Sequence, residues 1–191
     1  MYRGVETAIV LREWLPRYVY YALEDARNRL HPVPESQSVE AADDLTSGEI
    51  DQAIRDAFML LDRDMIEGGA EAIDGYRFLN DAMTEIAPSY SGSCALLTLY
   101  DPERQRLKVA CTGDSRAVLG RRNAAGEWEA QALSVDQTGY NEDEASRIRR
   151  EHPGEPDVIK DGRVLGMALT RAFGDGIWKV WTVPEDDSMT D

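Results

Sequence analysis

With 191 residues, 42% of them apolar and 8% aromatic, the chain is long enough for one domain with a real core and has a globular rather than a disordered composition. A formal charge of −15 argues against binding nucleic acid or an anionic membrane by charge, because phosphate contacts need Lys and Arg gathered in a patch. No apolar stretch approaches the ~18 residues of a membrane span, and the first residues form neither a basic transit segment nor a signal peptide.

From Val5 to Leu30 apolar residues recur at helical spacing (Ile9, Leu11, Trp14, Leu15, Tyr18, Val19), and Pro16 is expected to kink or split the helix. His31 to Asp44 opens with His-Pro-Val-Pro and continues polar and acidic, which reads as a mobile surface loop. Thr46-Ser47-Gly48-Glu49 matches a capping box, and Ile50, Ile54, Ala57, Phe58, Leu61 and Met65 then form one apolar face, expected to end at Gly68-Gly69. A further helix carries Ile73, Tyr76, Leu79, Met83 and Ile86 on one side, with Pro88 past its end. Cys94 to Tyr100, Leu107 to Cys111, Arg116 to Gly120 and Trp128 to Leu133 read as strands of an antiparallel meander, separated by turn signals.

Asn141 then caps a short helix, with acids in its first turn and Arg147, Arg149 and Arg150 towards its end, as the helix dipole favours. His152-Pro153 stops it. Asp161-Gly162 between two apolar triplets is a hairpin turn, and Met167 to Ala172 reads as a short helix or turn. The pattern is α+β: a single domain over residues 1–191, with a helical layer over 1–88 and a meander, helix and hairpin over 89–183. Cys94 and Cys111 lie in apolar runs and give no disulfide framework, so two buried thiols in a reducing compartment are expected.

The most informative run is Cys111-Thr112-Gly113-Asp114-Ser115-Arg116-Ala117-Val118-Leu119-Gly120, followed about fifty residues later by Arg163-Val164-Leu165-Gly166 and Arg171-Ala172-Phe173-Gly174-Asp175. Gly-Asp-Ser-Arg alone is a common turn. The ordered set resembles the metal-dependent serine/threonine protein phosphatases of the PPM type (type 2C). Within that family, Asn141-Glu142-Asp143-Glu144 through Arg147, then Glu151-His152-Pro153, looks most like the mitochondrial pyruvate dehydrogenase phosphatase branch. The resemblance runs from about Gly4 to Lys179.

That resemblance implies an α-β-β-α layered sandwich of antiparallel sheets, Mg²⁺ or Mn²⁺ as cofactor, a phosphoprotein substrate and a mitochondrial address, its signal upstream of Met1; without it the address is cytoplasmic. It also implies carboxylates that this sequence does not show. The family's Asp-Gly-His-Gly strand end would fall near Gly4, with its Asp missing, and the chain stops at Asp191 before the later metal aspartates. The expectation is a domain truncated at both ends and inactive as it stands, with no catalytic residue assigned. Its cofactor could then be none at all. Lost strands would leave sheet edges open to a partner strand or a second copy.

Among candidate site residues, Asp114 matches a family aspartate that can ligate a weak accessory metal, while Gly113, Ser115 and Arg116 fix its turn. Arg171, Gly174 and Asp175 form a second structural motif, in which Arg171 and Asp175 are expected to make a buried ion pair. Asp136 is expected to cap or close a turn. Other phosphatase chemistries fit poorly. Cys111 to Arg116 is Cys-x₄-Arg, one residue short of a cysteine-phosphatase loop, with an anion inside it, and Asp62-Arg63-Asp64 lies on a helix rather than at a strand end. Neither a nucleophile elbow nor zinc-ligand spacing nor a phosphate-cradling loop is present. Two alternatives to an inactive phosphatase stand beside it: a pseudophosphatase acting as a binding or scaffold module, and the fold reused for another acid-base reaction with Asp114, Asp136 or Asp175 as base.

Overall fold

Helix α1 spans Val5–Leu30 and α2 spans Ser47–Gly75 in the computed structural model, which describes residues 4–30, 45–75 and 86–179. Proline at position 16 neither ends nor divides α1, whose apolar stripe of Leu11, Leu15 and Val19 is buried on both sides of it. Burial of that stripe outweighs the one backbone hydrogen bond a proline removes. The capping box forms as expected: the Thr46 amide donates to Glu49 Oε2 at 2.6 Å and the Glu49 amide to Thr46 Oγ1 at 3.3 Å. Helix α2 passes through Gly68-Gly69 to Gly75, further than expected. Residues 86–90 are helical and contain Pro88, which therefore lies inside a helical stretch and not past its end. The expected 31–44 loop and residues 76–85 of the next helix lie outside the described residues.

Strands β1 (Gly92–Ser93), β2 (Ala95–Asp101), β3 (Arg106–Thr112), β4 (Val118–Arg122) and β5 (Trp128–Ala132) follow. Then come α3 (Glu142–Glu151), β6 (Ile159–Lys160), β7 (Arg163–Val164), β8 (Phe173–Gly174) and a 3₁₀ turn over Gly176–Trp178. All described pairings are antiparallel: β1 with β8, β2 with β3, β4 with β5 and β6 with β7. The class is α+β. The meander, however, is broken into two hairpins, since β3 and β4 do not pair. Met167 to Ala172 contains no helix; bridges at Met167 and Leu169 hold it as an extended turn. The Asp161-Gly162 hairpin forms, with both residues at positive φ as a type I′ turn requires.

The core lies between the helix pair and the β2–β3 hairpin. Leu11, Leu15 and Val19 of α1 meet Ile54, Ala57, Phe58 and Leu61 of α2, over Ala95, Leu97, Leu99 and Ala110 from the sheet. Alternation along β2 puts Ala95, Leu97 and Leu99 on the helix side, as period-2 geometry dictates. Phe173 closes the cluster at 2% exposure, its ring 5.3 Å from that of Phe58. A separate small cluster joins Ile148 of α3 to Val158 and Val164. Hairpin β4–β5, by contrast, has every residue exposed.

Thr7 is completely buried, its hydroxyl 2.8 Å from the Pro88 carbonyl and 2.7 Å from that of Ser91. This pins the start of α1 against the chain entering β1.

Candidate functional site

The Gly-Asp-Ser-Arg run forms the link from β3 to β4, and Gln137 explains why that link is not a third hairpin. Gly113 N–H donates to Gln137 Oε1 at 2.7 Å, Gln137 N–H to the Gly113 carbonyl at 3.0 Å, and Gln137 Nε2 to the Cys111 carbonyl at 3.3 Å. These backbone groups are taken before β4 could claim them. Gly113 stands at φ +97°, and a Cβ there would meet Cys94 Sγ at 2.3 Å, so only glycine fits.

Asp114 therefore emerges beside Cys94, whose Sγ donates to Asp114 Oδ1 at 3.3 Å. Burial pushes the Cys94 thiol up, and the Asp114 and Asp175 carboxylates add to the shift. Burial likewise raises the Cys111 thiol, which donates to the Ser115 carbonyl at 3.1 Å. Both cysteines are half-buried rather than fully buried, being at the edge of the hairpin. Their raised thiols are poor nucleophiles. Asp136 neither caps nor closes a turn with its side chain: Arg116 Nε donates to its Oδ1 at 3.2 Å, and Arg116 NH2 holds the other oxygen. Those hydrogen bonds keep the Asp136 carboxyl below its ordinary value.

The pairing of β1 with β8 brings the second motif to the same end of the molecule. Asp175 follows β8 at φ +50°, and its carboxylate occupies the space a Gly92 side chain would need. Burial raises its carboxyl above the ordinary value, with the Asp62 charge adding and the Lys179 charge opposing. Gly174, at φ +69°, passes so near the Ser91 carbonyl that an added Cβ would lie 2.0 Å from it. Asp62 of α2 clamps this loop: Oδ1 accepts from the Gly174 amide at 2.8 Å and Oδ2 from Lys179 Nζ at 2.6 Å.

The expected Arg171–Asp175 pair does not form. Arg171 precedes β8 and reaches α3, while Asp175 follows β8 and faces β1. The partner of Arg171 is Glu144, through Nε at 2.9 Å and NH2 at 2.7 Å. Glu144 also accepts from Arg147 at 2.9 Å and from the Thr170 hydroxyl at 2.7 Å. Burial works to raise its carboxyl, but the Arg171, Arg147 and Thr170 hydrogen bonds win and bring it down to about 2. Sequence reasoning saw Glu144 only as a first-turn acid of α3. Its spacing from Arg147 was legible, but its role as the buried hub that Arg147, Thr170 and Arg171 share depended on the return of residues 170–171. His152 lies apart, its Nδ1 3.2 Å from Glu155.

The fold is thus antiparallel α+β, with a glycine-anchored Asp turn beside a second aspartate loop. The sequence model described as Protein phosphatase 2C matches residues 23–185, and the chain belongs to that family. It is 41% identical to the mitochondrial [pyruvate dehydrogenase [acetyl-transferring]]-phosphatase 1 of Saccharomyces cerevisiae over 183 residues, 93% of this chain and 30% of that protein. A protein phosphatase 2C homolog of Schizosaccharomyces pombe is 47% identical over 132 residues, 68% of this chain and 30% of the homolog. Human mitochondrial [pyruvate dehydrogenase [acetyl-transferring]]-phosphatase 1 is 38% identical over 148 residues, 73% of this chain and 26% of that protein. The chain thus spans less than a third of the length of these curated relatives.

The family is metal-dependent, and a metal ion demands ligands gathered around it. Among the described residues, no group of three or more His, Cys, Asp or Glu side chains is arranged to hold a metal ion. The neighbour that Asp114 contacts is a thiol, a soft and poor ligand for Mg²⁺. These residues do not fit a metal centre by themselves. Among the described residues, no helix is long and apolar enough to cross a membrane.

Proposed function

We propose that this chain forms part of a serine/threonine protein phosphatase of the pyruvate dehydrogenase phosphatase type, acting on a mitochondrial phosphoprotein. The observation that carries this is the Asp114 turn, held by Gln137 and placed beside the Asp175 loop, in a chain of the protein phosphatase 2C family. In this reading residues 1–191 belong to one domain. Asp114 is an accessory carboxylate for Mg²⁺ or Mn²⁺. Gly113, Ser115 and Arg116 shape its turn, while Arg171, Gly174 and Asp175 shape the loop behind it.

The described carboxylates alone do not sustain turnover, since phosphate monoester hydrolysis needs acceleration of up to ~10²¹-fold and two ions held together. Purified chain given a phosphoserine peptide and rising Mn²⁺ is expected to release no phosphate. Release that disappears in Asp114→Asn would overturn the inactive half of the reading. For the other half, the 183 matched residues of the yeast relative are replaced by those of this chain. An active chimera is expected, and a folded but inactive one would count against the phosphatase reading.

A binding module is the second reading, favoured by the exposure of β4–β5. Val118 and Trp128 are 57% and 69% exposed on a face that also holds Gly120, Ala130 and Ala132. Sedimentation of the purified chain tests this reading, because a module using the β4–β5 face is expected to dimerise.

A further inference from the structure

Helices α1 and α2 run antiparallel and leave a cleft of about 800 Å³ between them. Its walls run from Tyr18 to Leu30 on α1 and from Asp64 back to Gly48 on α2. At 1.5 Å per residue these walls are about 18–24 Å long. The floor is made of Ala22, Ala26, Ala53 and Ala57, whose short side chains keep the cleft open. Tyr21 and Leu60 stand at its lips, 68% and 41% exposed. The Tyr18 hydroxyl donates to Asp64 Oδ2 at 2.9 Å and fixes one end.

The rim is one-sided in charge. Asp25, Glu49, Asp56 and Asp64 line it against a single guanidinium, Arg29. An apolar floor the length of a few helical turns under an acidic rim is complementary to a helix with an apolar stripe and basic flanks. The chain's own connector between the two helices, residues 31–44, carries Glu35, Glu40, Asp43 and Asp44 and no Lys or Arg, so its charge suits this rim poorly. We propose that the α1–α2 cleft is a docking groove for a basic amphipathic helix of a partner protein, about 12–16 residues long. The groove shares no residue with the Asp114 turn or the Asp175 loop.

The test uses the whole chain and a fluorescein-labelled Leu/Lys peptide of about 16 residues with its leucines on one helical face, read by anisotropy. A scrambled isomer of the same composition controls for simple attraction to a chain of charge −15. The striped peptide is expected to bind at least about tenfold more tightly than the scrambled one and to weaken with added salt. Asp25→Lys with Asp56→Lys is expected to cost about tenfold in affinity, and Leu60→Ser, which leaves the charge alone, a similar amount. Glu103→Lys, a reversal at an 86% exposed side chain outside the cleft lining, is expected to change little. Equal binding of both peptides overturns the proposal. So does an equal loss in Glu103→Lys, or unchanged affinity in variants whose circular dichroism shows an intact fold.

Discussion

Replacing Glu144 by Gln removes the one anion that Arg147 and Arg171 share. The Glu144 carboxyl is held at about 2 against an ordinary 4.5, its side chain only 9% exposed. That depression, at ~1.4 kcal/mol per pH unit, corresponds to about 3.5 kcal/mol of stability. Arg171 is itself 46% exposed, and solvent screening brings the value to about 2–3 kcal/mol. Because the folded carboxyl is depressed, this stability is fully present above pH 4.5 and is lost as pH falls towards 2. Urea unfolding of wild type and Glu144→Gln, repeated from neutral pH down to about pH 2.5, should show the variant weaker by that amount at neutrality. The gap should then close at up to ~1.4 kcal/mol per pH unit in the acid range. A gap that stays constant across the whole range would refute the reasoning, since it would mean that the Glu144 charge adds nothing.

Phe173→Ala should cost about 3–5 kcal/mol in urea unfolding, as it empties a site 2% exposed against Phe58. Gly174→Ala should cost more than about 2 kcal/mol, combining the positive φ with a Cβ 2.0 Å from the Ser91 carbonyl; a melting point equal to wild type would contradict this. Asp175→Asn should leave stability at pH 7 unchanged or raise it. Burial raises that carboxyl, so its ionised form is the unfavourable one at neutrality, and Asn tolerates the left-handed backbone. A loss above about 1 kcal/mol at pH 7 would show that the Asp175 charge is instead stabilising.

The sequence by itself determined the local features, because their causes lie within a few residues of one another. The Thr46–Glu49 capping box, the Asn141 cap, the Asp161-Gly162 turn and the apolar stripes of α1 and α2 all form where spacing and residue type place them. The ordered motifs also made the family legible, and the family model and relatives bear it out. Local reasoning failed where distant groups compete. Pro16 does not split α1, because Leu11, Leu15 and Val19 are buried against α2 and the sheet. Gln137 takes the Gly113 backbone groups and splits the meander. Arg171 has Asp175 close by in sequence, yet it pairs with Glu144, 27 residues away, and Asp62 of α2 holds Gly174 across 112 residues. Charge and hydrogen-bond partners are set by which elements lie side by side, and only the packed chain decides that.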